Sequence, residues 1–281
     1  MECALYVVAT PIGNLRDITL RAIDILTSAD TIAAEDTRNT SHLLTHYGIS
    51  ANRLLALHQH NERGAAEKII TLLQQGQAVV LVTDAGTPAV SDPGAILVEA
   101  VLTAGFRTIP IPGASAVVTA LSASGLTAPQ FLFYGFLPNK SGARRATLDS
   151  LISYPYSLVF YEAPHRILES VADLQAVFGN ERQIVLAREL TKLFENIHRC
   201  KLGEALDWLT KDANNQRGEF VILVSGAEAK QEGLSIESEK ILSLLLEELP
   251  LKQAVQLAVK ISSENKNVLY QRALELKKNN H

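Results

Sequence analysis

Three short loops rich in glycine and proline have the residue types that hold a ligand through the main chain. They span residues 10–14, 84–88 and 112–116. Glycine lets the backbone N–H and C=O groups come close to a bound molecule, and proline fixes the shape of the turn. The second loop continues to Gly94 with a further aspartate, Asp92, which we expect to cap a following helix that has Pro93 at its first position. This density of turn residues favours a binding site.

Each of these loops follows a short run that predicts a strand, at residues 5–9, 78–82 and 108–111, and the all-apolar run 78–82 is typical of a buried strand. Amphipathic helical patterns separate the runs, and Asp17 is expected to cap the first helix. This alternation predicts a parallel sheet with helices on both faces. The carboxyl ends of its strands, and therefore the three loops, meet at one edge, where α/β proteins bind ligands.

The turn-rich segment 125–129 interrupts this alternation of strands and helices, and a second α/β unit follows it. Its apolar runs predict strands at 131–136, 157–161, 184–187 and 220–224, and helical patterns cover 165–178 and 205–209. A polar stretch, 226–232, has the composition of a linker, and helical patterns follow at 238–249, 251–262 and 267–278. The predicted class is α/β, with an N-terminal α/β domain at residues 1–124, a second α/β domain at 125–226 and a helical region at 233–281.

The composition is that of an ordinary globular protein with a sizeable core, since 47% of the 281 residues are hydrophobic and 20% are charged. Two cysteines, Cys3 and Cys200, favour a reducing compartment, and His58 with His60 is too small a set to predict a metal site. No apolar run approaches the ~20 residues of a membrane span. We therefore expect a cytoplasmic protein without metal or membrane partners.

Several longer motifs resemble a known family. Neither Gly-x-Gly-x-x-Gly nor a P-loop motif occurs, which disfavours both nucleotide-binding classes. Instead, residues 9–15 (ATPIGNL), 84–94 and 112–116 resemble the tetrapyrrole (corrin/porphyrin) methylase superfamily. Residues 34–38 (AEDTR), 161–166 (YEAPHR) and 187–192 (ARELTK) resemble one branch of it, the bacterial ribosomal RNA small subunit methyltransferase I family. The likeness spans nearly the whole chain.

Two positions depart from the family pattern. Ala9 stands where relatives usually carry glycine, and we expect a methyl group to be tolerated at that strand end. Asn139 stands where relatives often carry a basic residue, which weakens the loop after residue 136 as an RNA contact.

The resemblance implies two α/β domains with S-adenosylmethionine folded into the cleft between them. It further implies methylation of the ribose 2′-oxygen of a decoding-region cytidine in 16S rRNA, on the 30S subunit, by a homodimer. Carried over motif by motif, the implied cofactor-binding residues are Pro11, Ile12, Asp84, Gly86, Thr87, Ser115, Ala116, Tyr161, Ala187 and Gly218. Ser115 is equally well explained as the N-cap of a helix.

A ribose hydroxyl is a poor nucleophile at neutral pH, so a nearby base or oriented acceptor would assist its methylation. Among the acidic and histidine side chains at predicted strand ends, Asp36 and His60 are the candidate catalytic residues. The alternative role of Asp36 is to cap the helix that follows it, and a loop histidine such as His60 is often simply exposed.

RNA binding needs positive charge, because neutralisation of phosphates dominates affinity. With a net charge of −4, any RNA contact must rest on local basic groups. Residues 140–145 predict a basic loop, and the last two helical patterns resemble a basic helix-turn-helix that either grips rRNA or caps the fold. The candidate RNA-binding residues are Arg38, Lys140, Arg144, Arg145, His165, Arg166, Arg188 and Lys192.

Two other functions fit parts of this pattern. A small-molecule methylase of the corrinoid pathway would share the three loops but would need neither the basic segment nor the basic helical tail. A non-catalytic RNA-binding relative would keep the cofactor fold as a scaffold, and the intact strand-end loops argue against it.

Overall fold

The structure is a computed structural model, and it describes residues 1–227, 234, 236–262 and 264–279. The chain divides into two compact units, residues 1–226 and 227–281, which are described separately. Among the described residues, no helix combines the length and apolar character needed to cross a membrane.

The first half of the larger unit contains a five-stranded sheet in which all neighbouring strands run parallel. The strand order is β3-β2-β4-β1-β5. The strands are β1 (Leu5–Val8), β2 (Thr31–Ala34), β3 (Leu54–Ala56), β4 (Val79–Val82) and β5 (Thr108–Ile111). β2 and β4 are buried along their whole length, which explains their uninterrupted apolar sequence.

Helices cover both faces of this sheet, as predicted. Ala22 and Leu26 of the first helix pack with Val80 on one face, whereas Ile69 of the third helix and Leu97 of the fourth pack on the other. These faces alternate along each strand because successive side chains point to opposite sides. The helices are α1 (Leu20–Ser28), α2 (Thr37–His46), α3 (Glu62–Gln74), α4 (Ala95–Thr103) and α5 (Ala116–Ala123).

Two predicted helix caps are wrong. Thr19, not Asp17, caps α1, and its hydroxyl accepts the backbone N–H of Ala22. At α4 the capping group is the buried carboxylate of Glu62, from the neighbouring α3. Its Oε1 accepts the backbone N–H groups of Gly94, Ile96 and Leu97 at 2.9, 2.9 and 3.2 Å. Asp92 is therefore not the cap of α4.

The second half of the larger unit holds a mixed sheet with strand order β6-β7-β10-β8-β9. Only β6 and β7 pair in parallel, and the other neighbouring strands are antiparallel. The strands are β6 (Phe131–Phe136), β7 (Ser157–Glu162), β8 (Gln183–Arg188), β9 (Asn196–Lys201) and β10 (Phe220–Val224). The edge strand β9 escaped prediction because its side chains are mostly polar or charged.

The two faces of the mixed sheet pack against different parts of the unit. One face carries α6 (Ser141–Leu151), α7 (Ile167–Phe178) and α8 (Leu202–Lys211), with Phe160 and Leu186 in the shared core. On the opposite face, Val159 and Val221 pack against Val117 of α5. Helix α5 thus joins the two halves of the unit.

The smaller unit is helical. Its helices are α9 (Ile236–Glu248), α10 (Leu251–Ser262) and α11 (Lys266–Asn279). Leu242, Val255, Leu269 and Ala273 form their common core. Most of the predicted linker 226–232 lies outside the described residues, and the domain boundaries at 124 and 226–233 stay predictions.

Candidate active site

The three predicted loops are hydrogen-bonded to one another at one edge of the parallel sheet. Thr10 and Gly86 exchange two backbone hydrogen bonds, of 2.9 and 3.0 Å. The Thr10 hydroxyl donates to the Thr83 carbonyl at 3.0 Å, and the Thr87 hydroxyl donates to the Ala114 carbonyl at 3.1 Å. The second loop therefore holds the first and the third in fixed positions, as a preformed ligand site requires.

These loops pack so closely that two glycines have no room for a side chain. A Cβ atom at Gly113 would lie 2.9 Å from the Cβ of Ala9. A Cβ at Gly13 would overlap the side chain of Lys192, which belongs to the segment after β8. The segment from Ala9 to Gly13 thus contacts both the third loop and the second half of the unit.

A cavity of about 310 Å³ lies between the loops and the mixed sheet. Its volume is at the lower end of the range for small-molecule sites. It brings together seven of the ten predicted cofactor residues: Ile12, Gly86, Thr87, Ser115, Ala116, Tyr161 and Ala187. Ser115 lies at the start of α5, but its side chain makes no capping hydrogen bond.

Three predicted cofactor residues lie elsewhere. Pro11 and Asp84 line a neighbouring cavity of about 250 Å³, together with Asn39 and His42. Gly218 does not belong to the described lining of either cavity. Its φ of +86° is a left-handed backbone conformation, and a Cβ there would be 2.6 Å from Oε1 of Glu189. Glycine is therefore required at position 218, because the turn has a left-handed conformation and the Glu189 carboxylate leaves no room for a side chain.

Asp84 is held by the loop after β2 and by α2. Its carboxylate accepts the backbone N–H of Asp36 at 3.1 Å and the side-chain amide of Asn39 at 2.9 Å. Glu35 accepts the hydroxyl of Thr83 at 2.6 Å and the backbone N–H of Asp84 at 3.3 Å. The ends of β2 and β4 are therefore joined by carboxylate hydrogen bonds.

Asp36 and His60 follow the neighbouring strands β2 and β3, and they line no common cavity among those described. Asp36 caps α2 by accepting the N–H of Arg38 at 2.8 Å, and it also pairs with the guanidinium of that residue. The hydrogen bonds from Arg38 lower the pKa of Asp36 to about 2, so it is a weak proton acceptor at neutral pH. His60 is exposed and lines a third cavity, of about 440 Å³, with Asn61 and Lys68.

Asp92 lines the first cavity, although the sequence pattern placed it at a helix cap. Burial raises its pKa to about 6, and the nearby carboxylates of Glu35 and Asp84 act in the same direction. A perturbed acid in a cavity is a functional candidate. The motif at residues 84–94 was the sequence signal that could have identified Asp92 as a site residue. The cap that Glu62 provides could not be inferred from that motif, because Glu62 lies far from it in the chain.

Aromatic side chains form another wall of this cavity. The ring of Tyr161 lies edge-on to Phe133 and Phe136, with centroid distances of 4.9 and 5.5 Å. Burial, and then the charge of Asp92, raises the pKa of Tyr161 to about 12, so its hydroxyl keeps its proton at neutral pH. Phe136 lines the cavity but is half exposed.

The predicted basic loop at 140–145 is wrong, because helix α6 begins at Ser141. Arg144 is buried and its Nε donates to Asp173 at 2.7 Å, so it is not exposed to an RNA. Arg145 is half exposed and also pairs with Asp173, at 2.5 Å. Lys140 is exposed just before the helix.

Of the other predicted RNA-binding residues, some are exposed and the rest form local hydrogen bonds. Arg38 and His165 are exposed. Arg166 donates to the Leu137 carbonyl at 2.7 Å, Arg188 to the Arg217 carbonyl at 3.3 Å, and Lys192 to Glu189 at 2.9 Å. These three cations support local backbone or carboxylates, and Lys192 also lines the first cavity.

In the smaller unit, Lys252, Lys260, Lys266 and Lys277 are exposed. Arg272 forms ion pairs with Glu239 and, at 2.7 Å, with Glu275. The side chain of Lys278 and the turn residue Ser263 lie outside the described residues.

Comparison with known families gives two matches within the chain. Residues 4–206 match the family of tetrapyrrole (corrin/porphyrin) methylases. Residues 232–277 match a family described as the RsmI C-terminal HTH domain.

The chain is also similar to solved structures at low sequence identity. The methyltransferase CobJ is 20% identical with a TM-score of 0.60, over 80% of this chain and 94% of that one. A uroporphyrin-III C-methyltransferase from Thermus thermophilus, solved with S-adenosyl homocysteine, is 16% identical with a TM-score of 0.56, over 79% and 97%. These two likenesses show the fold.

Full-length relatives are far more similar. Ribosomal RNA small subunit methyltransferase I of Escherichia coli O157:H7 is 51% identical over 96% of this chain and 94% of its own length. The protein of the same name from Pseudomonas aeruginosa is 50% identical over 96% of both chains. The chain therefore belongs to the ribosomal RNA small subunit methyltransferase I family of methyltransferases.

Proposed function

We propose that this protein transfers the methyl group of S-adenosylmethionine to the ribose 2′-oxygen of a cytidine in the decoding region of 16S rRNA. The observation that carries the proposal is the first cavity, in which three loops joined by hydrogen bonds through the second of them face Tyr161 and Ala187 of the mixed sheet. Family membership supports rRNA as the substrate. The choice of a cytidine, and of its 2′-oxygen as the methyl acceptor, is based on the motif resemblance.

The residues of the cavity fit a nucleoside-containing methyl donor. Gly86 lines the wall without a side chain, and a Cβ there would lie 3.4 Å from Ile12. Tyr161 and Phe136 offer aromatic surface, against which a planar base can pack. The S-adenosyl homocysteine complex of the similarly folded Thermus enzyme is consistent with this choice of ligand.

S-adenosylmethionine supplies a methyl group bonded to a positively charged sulfur. Because transfer to an oxygen is an in-line displacement, alignment of oxygen, carbon and sulfur provides much of the rate enhancement. The hydrogen bonds between Thr10 and Gly86, and from Thr87 to Ala114, keep the cavity walls in place during this alignment. Ile12 and Leu190 present apolar surface that excludes water.

The RNA would bind outside this cavity, at exposed basic side chains. Arg38, Lys140, Arg145 and His165 are the predicted RNA-binding residues that reach the surface of the larger unit. We expect RNA affinity to fall steeply with salt, because each neutralised phosphate releases counterions, while cofactor affinity changes little. Filter binding of 16S rRNA and calorimetry of the cofactor, both between 50 and 300 mM salt (roughly the range over which release is large), test this. Equal salt dependence of the two would contradict separate basic and neutral subsites.

Asp36 and His60 stay candidates for contact with the target ribose. If either has that role, the Asp36→Ala or His60→Ala variant will lose roughly 10²-fold or more in single-turnover rate. Because Arg38 already engages Asp36, the smaller effect is expected there. Wild-type rates in both variants would remove both residues from the mechanism.

We further propose that the protein acts in the cytoplasm on the assembled 30S subunit, and as a homodimer. One assay separates the acceptor classes: purified protein with labelled S-adenosylmethionine, offered 30S subunits, naked 16S rRNA or a precorrin. Label on the 30S subunit supports the proposal. Label on the precorrin alone would contradict it and favour a corrinoid methylase, and cofactor binding without any transfer would favour a non-catalytic relative.

A further inference from the structure

We propose that Glu62 is a positioning residue for the cofactor, because its side chain fixes the end of the second loop and with it one wall of the cofactor cavity. The inference rests on the proposed binding of S-adenosylmethionine in that cavity. Glu62 is the first residue of α3 and is buried. It does not belong to the described lining of the cavity, so it acts through the residues that it holds.

Helix α4 cannot be capped by its own N-cap residue. That residue is Gly94, which has no side chain. Gly94 has a φ of +132°, and a Cβ there would lie 2.8 Å from the side chain of Leu81 on β4. A capping serine or aspartate therefore has no room at this position. The acceptor for the first N–H groups of the helix has to come from another element.

Glu62 supplies this acceptor. Its Oε1 binds the backbone N–H groups of Gly94, Ile96 and Leu97, which belong to the groups that a helix leaves without intrahelical partners. A carboxylate is also favoured beside the positive end of a helix dipole. Helices α3 and α4 share one core through Ile69 and Leu97. The carboxylate thus joins the start of α4 to a well-packed neighbouring helix.

The capped residues continue directly from a strained segment of the second loop. Ala89 and Ser91 have φ values of +67° and +65°, a left-handed conformation that costs energy in residues with a Cβ. The N–H of Ala89 donates to the Pro93 carbonyl at 3.3 Å, and a Cβ at Gly94 would lie 3.5 Å from that of Ala89. Such a conformation persists only where its surroundings hold it, and Glu62 holds one end of it.

The same segment forms part of the cavity wall. Thr87 and Val90 line the cofactor cavity, and the N–H of Val90 donates to the Thr87 carbonyl at 3.4 Å. Hydrogen bonds to the first and third loops hold the near end of the second loop, whereas Glu62 holds its far end. Without the Glu62 carboxylate the strained residues would relax and Val90 would leave the wall. The cofactor would then bind only the fraction of molecules in which the loop is in place.

The test is a calorimetric titration of the full-length protein with S-adenosylmethionine, for the wild type, Glu62→Ala and Glu62→Gln. We expect the Kd of Glu62→Ala to rise roughly tenfold or more, because only a minor fraction of the molecules then holds the loop in place. The amide oxygen of Glu62→Gln accepts the same N–H groups without the charge, so its Kd should rise roughly threefold or less. Wild-type affinity in Glu62→Ala would overturn the proposal, and so would an equal loss in both variants.

Thr19→Ala is the matched control, because it removes the cap of α1, which packs on the opposite face of the sheet. This variant is expected to lose stability as other cap variants do, while its affinity for S-adenosylmethionine stays that of the wild type. An affinity loss equal to that of Glu62→Ala would show that overall stability, and not the position of the second loop, controls binding. Absence of binding by the wild type would instead refute the proposed function.

Hydrogen exchange of the wild type tests the same link without a substitution. Coupling between two sites is reciprocal, so the bound cofactor stabilises the cap if the cap stabilises the cofactor site. We expect S-adenosylmethionine to slow exchange at Ile96 and Leu97 roughly tenfold, although neither belongs to the described lining of the cavity. Exchange at Ala22, in the cap of α1, should not change. Slower exchange at Thr87 without a change at Ile96 and Leu97 would overturn the proposal.

Discussion

Replacement of Arg144 by alanine is expected to lower the free energy of unfolding by about 3–5 kcal/mol, because it removes one partner of a buried ion pair. The Arg144 side chain is 1% exposed, and that of Asp173 is 4% exposed. Arg144 also donates to the backbone carbonyls of Pro138 and Asn139, at 3.4 and 3.2 Å. Urea unfolding followed by circular dichroism measures the loss.

Arg145→Ala is the matched control, because Arg145 contacts the same carboxylate from a half-exposed position. We expect a loss of about 1 kcal/mol or less in that variant. Suppose that Arg144→Ala were as stable as Arg145→Ala but bound RNA much more weakly than the wild type does. Arg144 would then be an RNA contact, and its structural role would be wrong.

The same ion pair makes stability depend on pH. Burial alone would raise the pKa of Asp173, but hydrogen bonds from Arg145, Arg144 and Ser141 hold it below its usual value. A carboxyl whose pKa is lowered in the folded state stabilises the fold above its unfolded-state pKa. This contribution is therefore complete at neutral pH and is lost as the pH falls through the acidic range.

Replacement of Gly113 by alanine is expected to weaken cofactor binding by roughly tenfold or more and to destabilise the fold by about 1–3 kcal/mol. The added Cβ would lie 2.9 Å from the Cβ of Ala9. To relieve this overlap, the third loop would move away from the first. Ser115 and Ala116 would move with it, and both line the cofactor cavity.

A second substitution tests whether this overlap is the cause. In Ala9→Gly/Gly113→Ala the nearest atom left at residue 9 is its carbonyl oxygen, at 3.5 Å, an ordinary contact distance. We expect the double variant to recover most of the affinity measured by calorimetry. Gly64→Ala, on α3 with open space around it, is the control. A double variant as weak as Gly113→Ala would show that another property of Gly113 matters.

The three loops were predictable from sequence because turn chemistry is local. Thr10, Gly86 and Gly113 each stand where the chain turns after a strand, and the parallel pairing of those strands places the turns at one edge. Seven predicted cofactor residues consequently meet in one cavity. Apolar periodicity likewise sufficed for the parallel sheet and for the helices of the smaller unit.

The errors concern interactions between residues far apart in the chain. Glu62 caps a helix that begins 33 residues later, at Ala95, so an isolated motif around Asp92 was misinterpreted as a cap. The basic segment at 140–145 was misinterpreted because Asp173, which buries Arg144, lies 29 residues away. Charge and turn propensity can be read from a single segment of the sequence. The burial and the pKa of a side chain depend on which distant residues the fold places next to it.

The most direct test of the central claim is the identity of the methylated atom. Small-subunit rRNA treated with the protein and S-adenosylmethionine is digested to nucleosides, which are separated by chromatography and analysed by mass spectrometry. We predict a single new product, 2′-O-methylcytidine, formed by the wild type. A methyl group on a base, or on no RNA at all, would contradict the account.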